Sequence, residues 1–568
     1  MPHQKWLTAL LAALLVTAGG AALLAQAQEQ LPPAAEPKAG PQVSLEGRVV
    51  SRYGPVAKAR VRVAGQEAFS LSNAQGGFSL RSPLPAQGRA VVTAGKEGWF
   101  NNGVVLGWTG RVGEIFLNPV YLADNPQYRF LSPQVCYSCH GKLTLVWNQS
   151  KMAHTTANPR LLQMYYGTPA EQRAGRGVAY KLANPRSQGD CAVCHAPAAA
   201  ANPLRSRDLN DILRSPLSEW DGVSCDYCHK TRKVVANPAS PSRYQALLER
   251  QYPARGNSIL VFGPYDDVVT PPMAASYAPV FGEGAYCASC HGHFRTLAPG
   301  QAWDPGKVYP AAERQSFGLS GNQVLPIQTT YQEWKGWQDG LAAGDPDKGK
   351  RCQFCHMSWQ KRLLPYDNHL VEGMARHMFN ATYRLPRNIH PHHFEGGTRN
   401  QLQNAVAMEL EGKIVGRRLM VKVHISNTNG GHWVPTGETM RNLILLVEAR
   451  DAAGKPLKLV SGGRLPAWAG QGDPARGNYA GLPGAIFARV LADAAGHLNV
   501  RPWQASRVAL DNRLRPKTTR TLEFVYELRD PQDEPSAEAR LIYRPVVRPL
   551  AQTKGWVVED ILITSKAW

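Results

Sequence analysis

Cys225-Asp226-Tyr227-Cys228-His229 is the stretch on which the reading of the whole chain turns. The same Cys-x-x-Cys-His unit recurs at Cys136/Cys139/His140, Cys191/Cys194/His195, Cys287/Cys290/His291 and Cys352/Cys355/His356, and these five units use all 10 cysteines of the 568 residues. Two thiols at this spacing add to the vinyl groups of one haem, and the adjacent histidine reaches its iron as the proximal ligand. Zinc sites built from Cys-x-x-Cys pairs have no need of a histidine directly after every pair, and neither have redox dithiols. A disulfide framework would scatter its cysteines over varied spacings. The expected cofactors are therefore five covalently attached haem c groups.

The first cysteines of successive units lie 55, 34, 62 and 65 residues apart. So little chain cannot build an independent core around each haem. The porphyrins are expected to supply much of the interior, stacked closely within a domain of short helices and loops over 123–400. Close packing matters because electron tunnelling falls off steeply with edge-to-edge distance.

Outside that region the hydrophobic period changes from helical to strand-like. Residues 43–122 hold no cysteine. Ala59-Arg60-Val61-Arg62-Val63 alternates strictly, and Asn73-Ala74-Gln75-Gly76-Gly77 is a turn leading into Phe78-Ser79-Leu80. In 401–568, Leu419, Val421, Val423 and Ile425 alternate with Met420, Lys422, His424 and Ser426, and Leu443 to Val447 is a more continuous apolar run. The expected fold class is multidomain: an N-terminal β-sandwich, a central mostly helix-and-loop multihaem domain, and a C-terminal β-sandwich-like domain capping it.

The N-terminus carries the marks of export. Lys5 precedes the apolar run Leu7 to Leu24, and Ala25-Gln26-Ala27 offers a small-x-small cleavage site. Residues 1–27 are expected to be a signal peptide and 28–42, rich in Gln, Pro, Ala and Glu, a tether. The expected location is periplasmic or extracellular. The formal charge is +21. Five haems with ionised propionates would bring this to about +16 oxidised and about +11 reduced. Such a field favours redox partner proteins with acidic docking surfaces, an anionic membrane surface or an anionic substrate. Export argues against nucleic acid.

The sixth ligand of each iron decides whether a haem conducts or binds substrate. Ten histidines remain beyond the five units and His3: 154, 293, 369, 377, 390, 392, 393, 424, 432 and 497. The expected iron ligands are His140, His195, His229, His291 and His356, with His154, His293, His369, His393 and His432 on the opposite faces. His432 is favoured because Gly430 and Gly431 let the backbone approach a flat macrocycle. In His390-Pro391-His392-His393-Phe394, His393 is the first choice, with His390 and His392 as neighbours; His377 competes with His369. His424 lies on the solvated face of its strand, and His497 in a turn.

Two resemblances follow. Leu45-Glu46-Gly47-Arg48-Val49, Pro55-Val56-Ala57-Lys58-Ala59-Arg60-Val61 and the turn into Gly77-Phe78 resemble the carboxypeptidase-regulatory-like β-sandwich, a binding or spacer module. Trp147-x-x-Ser150 followed by His154, Gly222 to Lys230, Glu333-Trp334 ahead of Cys352 to Met357, His393-Phe394-Glu395-Gly396 and Gly431 to Gly437 resemble periplasmic multihaem cytochromes c, in the superfamily that contains the tetrahaem electron carrier of nitrifiers. That resemblance implies electron transfer between a donor and an acceptor. The competing class is a multihaem oxidoreductase acting on nitrite, hydroxylamine or a sulfur oxyanion at one open iron. Pentahaem nitrite reductases commonly carry a Cys-x-x-Cys-Lys unit, and this chain has none. A third reading is a haem-bearing adhesion or filament subunit that uses the β-domains as assembly surfaces; a membrane-associated electron-transfer complex or a filament is the expected larger assembly.

Overall fold

The computed structural model describes residues 39–85, 90–106, 111–120, 124–125, 127–201, 206–215, 221–236, 246–253, 259–269, 273–296, 324–360, 384 and 388–568. The expected signal peptide, His369 and His377 lie outside these residues.

The N-terminal region forms two four-stranded sheets. In one, Ala39–Ser51 pairs antiparallel with Gly54–Pro55 and Gly77–Pro85 and parallel with Arg111–Phe116. In the other the order is Ser70–Leu71, Arg60–Val63, Val91–Gly95, Asn102–Val105. Leu45, Val49, Phe78, Leu80 and Ile115 of the first sheet and Val61, Val63, Val92 and Ala94 of the second bury one shared core. Its first strand starts at Ala39, inside the stretch expected to be a tether, because Gln42 and Val43 find partners in Pro83 and Ser82.

The C-terminal region repeats the scheme on a larger scale. A four-stranded sheet runs Val406–Val415, Arg418–Asn427, Thr519–Glu527, Lys458–Ser461; a five-stranded sheet runs Arg507–Asp511, Gly484–Ala492, Asn442–Arg450, Ser536–Arg544, Ile561–Ala567. Leu419, Val421, Val423 and Ile425 point into the core between them, as their alternation predicts. Leu443 to Val447 is apolar throughout because both faces of this central strand are covered. Leu443, Leu445 and Val447 enter the main core, while Ile444 and Leu446 pack against Leu465 and Ala469 on the other side.

Between the two lies a region of short helices. Pro133–Asn148 carries the first unit and departs from helical geometry at His140 (φ −116°, ψ 43°). Pro159–Tyr166 is capped by the Asn158 side chain, and Pro169–Ala174 by a reciprocal Thr168/Glu171 box with Gly175 left-handed at its end. Cys191–His195, Cys225–His229 and Cys352–His356 are each single helical turns. Among the described residues, the apolar clusters of this region hold two to seven buried residues, against 13 and 23 in the flanking β-regions.

Both β-regions are pinned to the centre. Asp266 accepts from Arg60 (2.5 Å) and Arg62 (2.8 Å), Asp267 from the Gly65 N–H (2.8 Å) and Arg384 (2.6 Å), and the Asn101 N–H donates to the Ala275 carbonyl (2.8 Å). On the opposite side Lys554 bonds Glu171 (2.7 Å) and the Gln163 carbonyl (3.0 Å), and Met164 enters a cluster with Val547, Leu550 and Ala551.

Candidate haem-binding centre

The five units converge. Cys136 interacts with Cys225, Cys194 with Cys290, and Cys287 with Cys352, each pair bringing together thiols of two different units. Cys228 lies within electrostatic reach of Cys290 and Cys287. The first unit thus touches the third, the third borders the fourth, and the fourth touches the second and the fifth. None of the ten cysteines is in a disulfide. Burial pushes the thiol of Cys191 up to about 12 and that of Cys228 to about 11. These are protonated thiols in an apolar setting, inert until each adds to a vinyl group.

In the first unit it is Cys136 that meets another unit. The Sγ of Cys139 lies 3.7 Å from the hydroxyl of its own chain neighbour, Ser138, and both thiols are half-buried.

Burial holds several of the imidazoles in the neutral form. Burial, with neighbouring His432, lowers His356 to about 4; burial, with His356 and Arg441 nearby, lowers His291 to about 4. His392 falls to about 3 through burial and the neighbouring His229. Neutral imidazole is the form that ligates a metal. The Nδ1 of His229 bonds the Phe262 carbonyl (2.7 Å), that of His432 the Trp433 carbonyl (3.0 Å), and that of His356 the Glu395 carbonyl. A carbonyl partner fixes the proton on Nδ1 and leaves the Nε2 lone pair for iron.

Two of these rings have opposite numbers. His229 and His392 face each other with ring centres 6.3 Å apart and planes at 29°; His356 and His432 do so at 6.0 Å and 13°. Metal–nitrogen bonds of about 2 Å, with about 1 Å more from each nitrogen to its ring centre, put two ligands on opposite faces of one iron about 6 Å apart. The donor set therefore fits haem, with His392 and His432 placed to oppose motif histidines. Arg250 adds to the fit: its guanidinium lies 3.9 Å over the Tyr227 ring, with Nε and Nη2 buried and without a hydrogen-bond partner. That two-donor edge matches a carboxylate such as a haem propionate.

Other expected ligands lie elsewhere. In the histidine cluster the ring opposite a motif histidine is His392, where His393 was the first choice. His393 spends both ring nitrogens on backbone, Nε2 with the Ser358 carbonyl (2.8 Å) and Nδ1 with the Glu395 N–H (3.3 Å). His154 is exposed, and its Nε2 bonds the Asn148 carbonyl (2.7 Å). His293 is buried within electrostatic reach of His195, whose Nδ1 has no hydrogen-bond partner. His424 bonds Thr521 (2.9 Å) across the sheet, and the exposed His497 bonds Asp493 (2.8 Å) in a turn.

Two buried ionic groups were not foreseen. Asp226, between Cys225 and Cys228, accepts from Tyr128 (2.8 Å), the Leu131 N–H (2.8 Å) and Lys230, which also donates to the Leu260 carbonyl (2.7 Å). Glu333 meets Arg513 (2.7 Å) and Arg489 (3.5 Å), which meet Asp511 at 2.7 and 2.9 Å. Burial opposes the charge on Asp511, but the two guanidiniums prevail and hold its carboxyl at about 2. A charged residue facing inward from a strand leaves no periodic trace, so Arg489, Asp511 and Arg513 had no signal in the sequence.

Residues 135–230, spanning the first three units, match the family described as cytochrome c554 and c-prime. The fold is similar to that of a penta-haem cytochrome c552 from Thermochromatium tepidum, at 18% identity over 78% of this chain and 99% of that one, with a TM-score of 0.50. A cohesin–X-dockerin complex from Acetivibrio cellulolyticus is similar over 14% of this chain and 58% of its own, at 13% identity and a TM-score of 0.12. No curated protein matches the chain.

Proposed function

We propose that this multihaem c-type cytochrome is an exported pentahaem electron carrier whose irons are mostly closed by histidine on both faces. The observation that carries the reading is the pair of opposed imidazoles, His229/His392 and His356/His432, at 6.3 and 6.0 Å. An imidazole on the second face leaves a substrate no place on that iron.

Bound haem supplies one reversible electron per iron. The chain does the rest. Cys136/Cys139, Cys191/Cys194, Cys225/Cys228, Cys287/Cys290 and Cys352/Cys355 would tether the five groups, and the contacts between units bring their attachment points together. The fourth unit touches the second and the fifth and borders the third, so the array is branched with Cys287 and Cys290 at its crossing. The Phe262, Glu395 and Trp433 carbonyls orient imidazoles and raise their basicity, which stabilises the oxidised iron and favours low potentials. The cationic surface would draw in acidic redox proteins. Among the described residues no helix is long and apolar enough to cross a membrane.

The deciding test is low-temperature EPR of the oxidised holoprotein, with spins counted before and after adding nitrite, hydroxylamine or sulfite. Five low-spin signals indifferent to all three support the carrier. A high-spin signal that shifts on addition would replace the carrier with an oxidoreductase.

A further inference from the structure

We propose that Glu333 is a positioning residue for the fifth haem site: it holds the His432 loop opposite His356, at the iron of the haem that Cys352 and Cys355 would attach, and thereby sets that centre's ligand geometry and potential. This rests on the reading of His432 as the ligand opposite His356.

Glu333 lies on the Thr330–Gly340 helix and is 2% exposed. One carboxylate oxygen accepts from the Thr329 hydroxyl (2.7 Å) and from Arg513 (2.7 Å). The other accepts from the Trp433 N–H (3.2 Å) and the Thr436 hydroxyl (2.7 Å). The first oxygen belongs to the helix and the ionic cluster; the second belongs to the loop that carries His432. The peptide that follows that histidine is gripped at both its polar ends, since Asn427 donates to the His432 carbonyl (2.8 Å) while Glu333 takes the Trp433 N–H. The ring itself bonds the Trp433 carbonyl, and Trp433 is flanked by the guanidiniums of Arg513 and Arg515 at 4.9 and 4.8 Å.

A stability role alone explains this poorly. Buried ion pairs add little net stability over apolar residues of similar volume, and their best-attested use is to fix register. Here Glu333, Asp511, Arg489 and Arg513 balance two negative charges against two positive ones. Arg489, Asp511 and Arg513 come from the C-terminal β-region and Glu333 from the haem region. The cluster fixes the register between the region that supplies His356 and the region that supplies His432.

Four variants, read by EPR and by potentiometry of each haem, test the inference. His432→Ala should convert one of the five haems from its native low-spin signal; if no signal changes, the ligation reading falls and this inference with it. Glu333→Gln removes the charge and one acceptor, so that same low-spin signal should shift and its potential should rise, the other four haems being unmoved. Asp511→Asn makes the same charge change without touching the loop and should raise the potential while leaving the signal in place. If His432→Ala acts but Glu333→Gln behaves like Asp511→Asn, Glu333 contributes charge only and the positioning role is overturned. Should Glu333→Gln fail to load five haems, Thr436→Val decides: a smaller shift of the same signal supports the role, and an unmoved signal overturns it.

Discussion

His392 faces His229 across 6.3 Å, its Nδ1 buried and without a hydrogen-bond partner, while the adjacent His393 turns away and gives both nitrogens to backbone. Neighbours in sequence thus have opposite fates. His392→Ala should open one iron, giving one high-spin haem in five that binds cyanide or imidazole. His393→Ala should leave all five low-spin and cost about 1–3 kcal/mol of stability through the Ser358 carbonyl it orphans. Magnetic circular dichroism and chemical denaturation separate the two. The opposite pattern would return the ligand to His393.

That distinction could not be had from the sequence. The five units and the strand alternation at Leu419 to Ile425 are local patterns, and local patterns survive translation into structure. Which ring of His390-Pro391-His392-His393 turns toward an iron depends on backbone torsions, among them φ +46° at Phe394 just beyond it. The motif spacing likewise says nothing of which thiol faces a neighbouring unit, so Cys136 and Cys139 read alike in sequence and differ in the fold. The sequence reads the glycines beside His432 as room for a macrocycle, whereas in the fold a Cβ on Gly431 would come 2.8 Å from the Trp337 ring. The Glu333 cluster joins residues far apart in the chain, and only the packed tertiary structure brings them together.

The contacts between units carry a kinetic consequence. Cys194 and Cys290 place the second unit on a side branch, whereas the fourth lies between the first three and the fifth. Replacing both cysteines of the second unit, Cys191→Ala with Cys194→Ala, should leave electron passage from the first to the fifth haem intact. Cys287→Ala with Cys290→Ala should slow it at least tenfold. Flash reduction followed by haem-resolved absorbance reads both, after confirming that each variant holds four haems. Equal slowing in both would rule out the branched order.

Asp511 gives the C-terminal region an acid limit. Its carboxyl is held at about 2 in the folded state against an ordinary value of 3.8. A depressed carboxyl contributes stability that is complete above the unfolded value and is lost as pH falls through the folded one. About 2 kcal/mol should therefore disappear between about pH 4 and pH 2. Urea midpoints followed by circular dichroism should show this drop in the parent protein. Asp511→Asn should flatten the pH profile and lower stability at neutral pH by about 3–5 kcal/mol, since it leaves two buried guanidiniums short of one carboxylate. A parent profile flat to pH 2 would mean the cluster is not closed in solution.

The N-terminal β-region is held by Asp266 and Asp267, 2% and 3% exposed, which reach Arg60, Arg62 and the Gly65 N–H across the contact. A module serving only as a loose spacer has no use for buried charges shared with its neighbour; a module held at a set angle to the haems does. Asp266→Ala with Asp267→Ala strands the three arginines Arg60, Arg62 and Arg384, a loss of about 3–5 kcal/mol or more at the contact. The core of this region, Leu45 through Leu117, is its own and should survive. The expected outcome is a protein with an unchanged haem spectrum that proteases cut between Phe116 and Pro133, releasing the N-terminal region intact. Continued protection would assign the docking to the backbone contacts of Phe100 and Asn101 with Ala275 and Ser276 instead.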